Sequence, residues 1–267
     1  MPQAATLIRP DMAAPRPGWA MPPPRDITVK GANIRYWEAG AGRPLVLMHG
    51  FSGSAPFEWG RVIQALSAHH RVIAPQCVGF APSDAPDITY STEALVTHLG
   101  AFLKALELKS ILLLGESFGG WLVGSYAVRA AALGLPPIDG LIIVGGPVGP
   151  LRLPKAGTEG FVHAPVMAEV ATWMAGQPAI DHDLTRAKIL KASGLRTGEL
   201  SLEAVATIEV PTLLLWGDKY ALIPLEVGEA ALAAIPDARL VVFEDIGHIP
   251  SVECPAAFVE AVVGFRG

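Results

Sequence analysis

The chain has 267 residues, of which 51% are hydrophobic and 17% are charged, and this composition excludes an intrinsically disordered protein. The length suits one large α/β domain with a well-buried core. The formal net charge is −5 and there is no long basic cluster, so we expect no nucleic-acid partner.

Cysteine usage and hydropathy bear on the compartment. The two cysteines, Cys77 and Cys254, do not have the spacing of a metal site. Two lone thiols fit the reducing cytoplasm, where we place the protein, although a single disulfide stays open. No apolar run approaches the length of a membrane span, so we expect no membrane partner. Because the cysteines do not have metal-site spacing, we also expect no bound metal.

Residues 1–25 form a proline-rich arm. Prolines interrupt every apolar stretch in this arm, at Pro2, Pro10, Pro15, Pro17, Pro22, Pro23 and Pro24. A signal peptide requires an unbroken apolar segment. We therefore predict a mobile or surface-lying extension that precedes the folded domain.

The next part of the chain alternates predicted strands and helices. Residues 27–37 alternate apolar and polar side chains around Gly31, which predicts a two-stranded antiparallel opening. Continuous apolar runs then predict buried strands at 44–48, 71–75, 111–114 and 141–144. Helical spacing predicts helices over 59–68 and 90–108. Strands that alternate with helices indicate a mainly parallel, doubly wound sheet.

The pattern changes at residue 148 and returns near residue 207. Residues 148–206 contain no strand of this type and are helical and amphipathic in pieces. Two more buried strands follow, at 211–216 and 240–243. We therefore predict an eight-stranded α/β core, residues 26–147 and 207–267, with a small helical lid (148–206) inserted before the last two strands.

The segment Gly-Glu-Ser-Phe-Gly at 115–119 is the strongest motif in the chain. It follows the predicted strand 111–114 and precedes a helix-compatible stretch that starts at Gly120. Strand, sharp turn and helix is the context in which Gly-x-Ser-x-Gly forms a nucleophile elbow, because small residues let strand and helix approach closely. We predict Ser117 as a catalytic nucleophile, with a structural glycine turn as the alternative.

A serine nucleophile requires a base, and His248 has the best context for this role. It follows the last predicted strand and therefore lies at the carboxyl edge of the sheet, as Ser117 does. The alternative is a solvent-facing loop histidine. Five further histidines are interpreted as loop, surface or solvated residues: His49, His69, His70, His98 and His182.

Attack on a carbonyl also requires donors for the oxyanion. The backbone N–H of Phe118, directly after the nucleophile, is one predicted donor. The second is predicted in the loop after strand 44–48, at Phe51, with Ser52 as the other candidate. The Ser52 hydroxyl is also a candidate contact for a substrate oxygen.

Several motifs together make the chain, from about residue 27 to its end, resemble the α/β-hydrolase fold family. Within that family the chain is most similar to meta-cleavage-product (carbon–carbon) hydrolases and small carboxylesterases. The resemblance implies a cofactor-free hydrolase whose nucleophile, acid and histidine follow in that chain order. The motifs are His49-Gly50-Phe51-Ser52-Gly53, Gly115-Glu116-Ser117-Phe118-Gly119-Gly120, Trp216-Gly217-Asp218-Lys219-Tyr220-Ala221-Leu222-Ile223-Pro224 and Gly247-His248.

The acid of the implied triad departs from the family pattern. The resemblance places an aspartate three residues after Gly217, but Tyr220 occupies that position. We predict that Asp218, the nearest carboxylate, reaches His248 through a loop shift. The alternatives are that Asp218 is a solvated turn residue, and that a dyad or the Tyr220 hydroxyl replaces the acid.

The same resemblance suggests substrate-binding residues. Carbon–carbon hydrolases of the family use a lid arginine on the substrate carboxylate, and Arg186 is the best positional match. Ile249 stands where those enzymes have a tryptophan. Trp173 belongs to an apolar lid set, and Trp121 is a candidate for the pocket wall with core packing as the alternative. A pocket of this kind fits a largely apolar substrate with a polar reacting centre.

These observations predict a cytoplasmic serine hydrolase that needs no cofactor and cleaves an ester of a small apolar molecule. The first alternative is carbon–carbon bond hydrolysis of a meta-cleavage-type diketone acid. The second is a non-hydrolytic lyase or a ligand receptor on the same fold. We expect a small-molecule substrate as the partner, and the sequence leaves a homo-oligomer open.

Overall fold

The computed structural model describes residues 4–149 and 164–267, and within these ranges the chain forms nine strands and ten helices. The strands are β1 (Thr6–Ile8), β2 (Pro24–Val29), β3 (Ala32–Ala39), β4 (Pro44–Met48), β5 (Arg71–Pro75), β6 (Ile111–Glu116), β7 (Ile138–Val144), β8 (Thr212–Gly217) and β9 (Ala238–Phe243). The helices are α1 (Ala55–Trp59), α2 (Ile63–Leu66), α3 (Thr92–Ala105), α4 (Phe118–Arg129), α5 (Ala164–Ala175), α6 (Asp183–Ala192), α7 (Leu202–Val205), α8 (Leu225–Ala234), α9 (Pro250–Glu253) and α10 (Pro255–Gly264).

All the strands belong to one sheet, with the order β1-β9-β8-β7-β6-β4-β5-β3-β2. Neighbours from β1 to β5 in this order pair in parallel, and β3 pairs antiparallel with both β5 and β2. The predicted mainly parallel sheet with an antiparallel opening is confirmed. Because parallel strands share one carboxyl edge, the loops after β4, β6, β7, β8 and β9 lie along that edge.

Alternate side chains of the central strands point to opposite faces of the sheet. In β4, Val46 and Met48 belong to one apolar cluster, whereas Leu45 and Leu47 belong to another. The first cluster includes residues of α3, α4 and α8, and the second includes residues of α1, α2 and α10. Both faces are therefore covered by helices, which explains why the strands are continuously apolar.

The ninth strand, one more than the eight predicted, comes from the proline-rich arm. Thr6, Leu7 and Ile8 pair in parallel with Val241, Val242 and Phe243 of β9. Three residues are too few to show a strand periodicity, and the surrounding prolines mask them. The arm thus extends the sheet at one edge.

The arm then contacts α1 and α5 through Trp19. The Trp19 indole lies 6.3 Å from the Phe57 ring and 5.4 Å from the Trp173 ring, measured between centroids. Its Nε1 donates to the Phe57 carbonyl at 2.8 Å, and the Arg61 guanidinium stacks on the indole at 3.7 Å. Arg61 is ion-paired with Glu169 of α5. These contacts join the arm, the core and α5.

Helices α5, α6 and α7 lie between β7 and β8, where the lid is predicted. Residues 150–163 of that segment are outside the described ranges. The division into arm, core and lid stays a prediction. Among the described helices, none combines the length and apolar character needed to cross a bilayer.

Replacing Trp19 with alanine should destabilise the protein and release the arm. We expect the free energy of unfolding to fall by about 1–3 kcal/mol, because a half-buried indole loses its ring contacts and its stacked guanidinium. Urea unfolding and limited proteolysis of the arm measure the two effects. Leu7→Ala is the control, since that side chain is 60% exposed. Equal stability and proteolysis for Trp19→Ala and wild type would contradict this account of the arm.

Candidate active site

Ser117 lies at the sharp turn between β6 and α4. Its backbone has φ 54° and ψ −117°, a region that residues with a side chain rarely adopt. The Ser117 N–H donates to the Val144 carbonyl at 2.8 Å, and the Ser117 carbonyl accepts from the Trp121 N–H at 3.0 Å. The strained residue is therefore held by hydrogen bonds to the neighbouring strand and to the first turn of the helix.

Two glycines permit this turn. A Cβ at Gly115 would lie 2.1 Å from the Gly119 carbonyl oxygen, and a Cβ at Gly119 would lie 2.1 Å from the Met48 carbonyl oxygen. Neither distance is compatible with a side chain. The backbones of β6, α4 and the end of β4 thus approach one another directly, as the predicted nucleophile elbow requires.

His248 lies in the loop after β9 and is 4% exposed. The Glu253 carboxylate fixes this loop, because it accepts from the backbone N–H groups of Gly247 and Ile249, both at 2.9 Å. Burial lowers the pKa of His248 to about 3. The imidazole is consequently neutral at physiological pH, which is the form a general base needs.

Tyr220 is stacked on the imidazole of His248. The ring centroids are 4.0 Å apart with an interplanar angle of 19°, and the Tyr220 hydroxyl lies 3.5 Å from Nε2 of His248. Burial raises the pKa of Tyr220 well above its ordinary value. The structure thus brings Tyr220 onto His248, and Ser117 lines the same cavity as His248.

Asp218, the predicted acid, has a different environment. Its Oδ2 is paired with Nζ of Lys219 at 2.7 Å. Its Oδ1 is buried and has no hydrogen-bond partner among the residues that the structure describes. In this arrangement the carboxylate neutralises a neighbouring lysine. A role for Asp218 in orienting His248 stays a prediction that requires the loop to move.

The predicted oxyanion donors lie side by side. The rings of Phe51 and Phe118 are stacked with centroids 4.5 Å apart and an interplanar angle of 16°. Phe118 is the first residue of α4, and N–H groups in the first turn of a helix have no partner within the helix. The position of Phe118 suits a backbone donor to the oxyanion of an intermediate bonded to Ser117. The assignments of Phe118 and Phe51 as oxyanion donors stay predictions.

These side chains line a cavity of about 240 Å³. Its polar lining consists of Ser52, Glu58, Ser117 and His248. Its apolar lining consists of Phe51, Phe118, Pro147, Leu195, Leu222, Ile223 and Ile249. The cavity therefore joins most of the residues predicted for catalysis to Ser52 and Ile249 from the predicted substrate set.

The other predicted substrate residues lie outside this lining. Arg186 of α6 donates to the carbonyl groups of Phe51 and Ser52, at 2.8 Å and 3.2 Å, and so attaches α6 to the loop after β4. Trp121 is buried behind Phe118, with ring centroids 5.9 Å apart. Trp173 packs on the arm and lines a second cavity of about 780 Å³. Their substrate contacts stay predictions.

Sequence reasoning missed three buried carboxyl groups around the site. Glu58 accepts from the Gly50 N–H at 2.8 Å and from the Ser52 hydroxyl. Glu116 accepts from the Ser251 hydroxyl at 3.0 Å, and Glu253 fixes the His248 loop. Burial raises the pKa of Glu58 to about 8, and burial followed by the charge of Glu58 raises the pKa of Glu116 well above its ordinary value.

A signal for Glu58 was present, since this acidic residue stands between Phe57 and Trp59 in an otherwise apolar run. Glutamate is rarely fully buried without partners, so such a position suggests a specific hydrogen-bonding role. The partners themselves come from the loop after β4 and could not be read from local sequence. Within the described residues, no group of three histidine, cysteine, aspartate or glutamate side chains is arranged to hold a metal ion.

The sequence of this chain matches the model of the alpha/beta hydrolase family over residues 45–261. The chain belongs to this family. It is 28% identical to a 2-hydroxy-6-oxo-6-(2'-aminophenyl)hexa-2,4-dienoic acid hydrolase of Metapseudomonas resinovorans, with 90% of each chain covered. It is 30% identical to Lipase 1 of Psychrobacter immobilis, over 88% of this chain and 81% of the lipase.

A solved structure gives the same picture of the fold. A serine hydrolase involved in carbazole degradation superposes with a TM-score of 0.78, at 24% identity, over 91% of this chain and 97% of the other. The family membership and these relatives confirm the predicted α/β-hydrolase and the predicted enzyme class, a hydrolase.

Replacing Glu58 with glutamine should change how stability depends on pH. The raised pKa, from an ordinary 4.5 to about 8, means that the folded protein retains a proton that the unfolded chain loses. The stabilising contribution is complete below about pH 4.5 and is lost as the pH rises to about 8. In Glu58→Gln this decline should become shallower, with a remainder due to Glu116.

Urea unfolding midpoints between pH 4.5 and pH 8.5 measure the slope. Glu260→Gln is the control, because Glu260 is exposed on α10. An identical slope in Glu58→Gln and wild type would show that Glu58 does not titrate as described.

Proposed function

We propose that this α/β-hydrolase is a serine hydrolase that cleaves a small, largely apolar ester through an acyl-enzyme. The observation that carries the proposal is the strained elbow of Ser117, which opens into an apolar cavity that His248 also lines. Strained backbone at a cavity is typical of active sites. A ligand receptor does not require strained backbone at its cavity. We therefore favour the hydrolase over both alternatives, the ligand receptor and the lyase.

The proposed reaction has two halves. Ser117 attacks the ester carbonyl while its proton passes to His248, and the backbone N–H groups of Phe51 and Phe118 stabilise the oxyanion. Loss of the alcohol leaves an acyl group on Ser117. Water, deprotonated by His248, then releases the acid. Asp218 is retained as the predicted acid, but the pair of serine and histidine supports the proposal without it.

The charge of the cavity favours an ester over a diketone acid. A substrate carboxylate needs a cation to offset its desolvation. Among the described residues, the lining includes no arginine or lysine. The guanidinium of Arg186 is used on backbone carbonyls. The similar proteins include both a lipase and a hydrolase of a dienoic acid, so the proposed preference for an ester is supported by the cavity lining alone.

The catalytic pair can be tested with matched variants. Ser117→Ala and His248→Ala should each lower kcat/KM for a short-chain aryl ester by about 10³-fold or more. Ser125→Ala is the control, because that serine is buried on α4, the helix that follows Ser117, and does not line the cavity. Wild-type turnover in Ser117→Ala would end the covalent mechanism. Faster turnover of a diketone acid than of any ester would instead establish the carbon–carbon alternative.

The pH dependence of serine labelling tests the buried base. Because the pKa of His248 is lowered to about 3, the imidazole stays neutral as the pH falls from 8 to 5. We expect the rate of labelling by a fluorophosphonate to be nearly constant over this interval. A rate that halves near pH 6.5 would show an imidazole with an ordinary pKa and contradict the described burial.

The cytoplasmic location and the oligomeric state stay predictions.

A further inference from the structure

Glu58 and Ser52 form a hydrogen-bonded pair in the cavity of the candidate nucleophile. Both oxygens of the Glu58 carboxyl group accept from the Gly50 N–H, Oε2 at 2.8 Å and Oε1 at 3.0 Å. Oε1 is also hydrogen-bonded to the Ser52 hydroxyl. Glu58 and Ser52 both line the cavity that Ser117 lines. The pair is therefore a polar part of the cavity that the proposed reaction does not use.

Gly50 brings this pair close to Ser117. A Cβ at Gly50 would lie 3.0 Å from Cβ of Ser117 and 3.3 Å from Oε1 of Glu58. The carboxyl group and the serine side chain thus lie on the same side of Gly50. A substrate bonded to Ser117 consequently has the Ser52–Glu58 pair as a neighbour.

The surroundings of Glu58 favour the uncharged acid. Glu58 is 2% exposed, and among the described residues no basic side chain is paired with it. Its ionisable neighbour on β6, Glu116, is another buried carboxyl group. Arg186 of α6 binds backbone carbonyl groups of the same loop, and His248, which lines the same cavity, is neutral. Burial without a cation accordingly raises the pKa of Glu58 to about 8.

The neutral pair has one more hydrogen-bond donor than it uses. It contains two O–H groups, one on the carboxyl group and one on Ser52, and one of them makes the hydrogen bond between the two side chains. The other contacts of the pair, within the part of the chain that the structure describes, are with the N–H groups of Gly50 and Ser54, which are donors themselves. The second O–H group is therefore open to a ligand in the cavity.

We propose that Ser52 and Glu58 are specificity-determining residues that together donate a hydrogen bond to an uncharged oxygen atom of the substrate, next to the scissile carbonyl. The favoured substrate is accordingly an ester with an ether, keto or hydroxyl oxygen close to the reacting carbon. This inference rests on the proposed function, because it assumes that an ester binds at Ser117.

Matched esters test this donor. The acyl groups of p-nitrophenyl methoxyacetate and p-nitrophenyl butyrate have the same length, but only the first has an ether oxygen. The esters 2-methoxyethyl butyrate and butyl butyrate place the same difference on the alcohol side. Within each pair of esters, the ratio of the two kcat/KM values cancels any change in the nucleophile or the base.

The ratio should depend on pH in the wild type. When Glu58 ionises, the Ser52 O–H binds the carboxylate, and no O–H group is left for the substrate. We expect the preference for the ether oxygen to fall about 3- to 10-fold between about pH 6 and about pH 9.5, which is the effect of one hydrogen bond. The pair of esters whose ratio falls identifies the side of the substrate that the donor binds.

Glu58→Gln separates this donor from other titrating groups. The glutamine N–H donates to Oγ of Ser52 and its carbonyl accepts from the Gly50 N–H, so the Ser52 O–H stays open to substrate at every pH. We expect this variant to keep the low-pH ratio of the wild type throughout. Glu260→Gln, an exposed site on α10, is the control and should keep the wild-type pH dependence. Fluorophosphonate labelling verifies that the site of each variant is intact.

The outcomes separate the donor from the proposed function. If the wild type hydrolyses none of the four esters and is not labelled at Ser117, the proposed function and the donor both fail. Hydrolysis with a pH-independent ratio for both pairs of esters would overturn the donor alone. So would a decline that persists in Glu58→Gln, since Glu116 would then be the titrating group. The wild-type ratio decides the proposal even if Glu58→Gln does not fold.

Discussion

The direct contact between backbones at Gly115 and Gly119 is the constraint on which the site depends. With side chains excluded from both positions, β6 turns into α4 within one residue, and that residue takes a left-handed conformation. The strain at Ser117 is sustained by the surrounding parallel sheet, whose central strands are buried on both faces. The predicted nucleophile, Ser117, and the predicted oxyanion donor, Phe118, are adjacent residues of this turn.

Most of the polar side chains around the Ser117 turn hold the neighbouring loops in place through hydrogen bonds. Glu253 fixes the loop of His248, Glu58 fixes Gly50 and Ser52, and Arg186 attaches α6 to the carbonyl groups of the same loop. Buried carboxyl groups are costly unless they are neutral or well hydrogen-bonded, so their presence here marks loops whose geometry must be held closely. The arm and α5, joined through Trp19, add a further wall beside this region.

The fold and the candidate nucleophile could both be predicted from the sequence because both depend on local patterns. Continuous apolar runs and the Gly-x-Ser-x-Gly turn predict β6, α4 and Ser117 without any knowledge of distant contacts. Strand β1 was missed because Thr6–Ile8 is too short to show a period, and it becomes a strand only by pairing with β9. The partners of Glu58 and the stacking of Tyr220 on His248 join residues from separate loops, and no local signal specifies such pairs. Asp218 was chosen by proximity in sequence, whereas its carboxylate is paired with Lys219.

The central claim is that Ser117 is a nucleophile. The oxyanion that forms when Ser117 attacks a carbonyl accepts hydrogen bonds from the backbone N–H groups of Phe51 and Phe118. A crystal structure of the protein after reaction with an alkyl phosphonate fluoride tests this claim most directly. The account predicts phosphorus bonded to Oγ of Ser117, with the phosphonyl oxygen within hydrogen-bond distance of both N–H groups. An adduct on another residue, or a phosphonyl oxygen directed away from these donors, would contradict it.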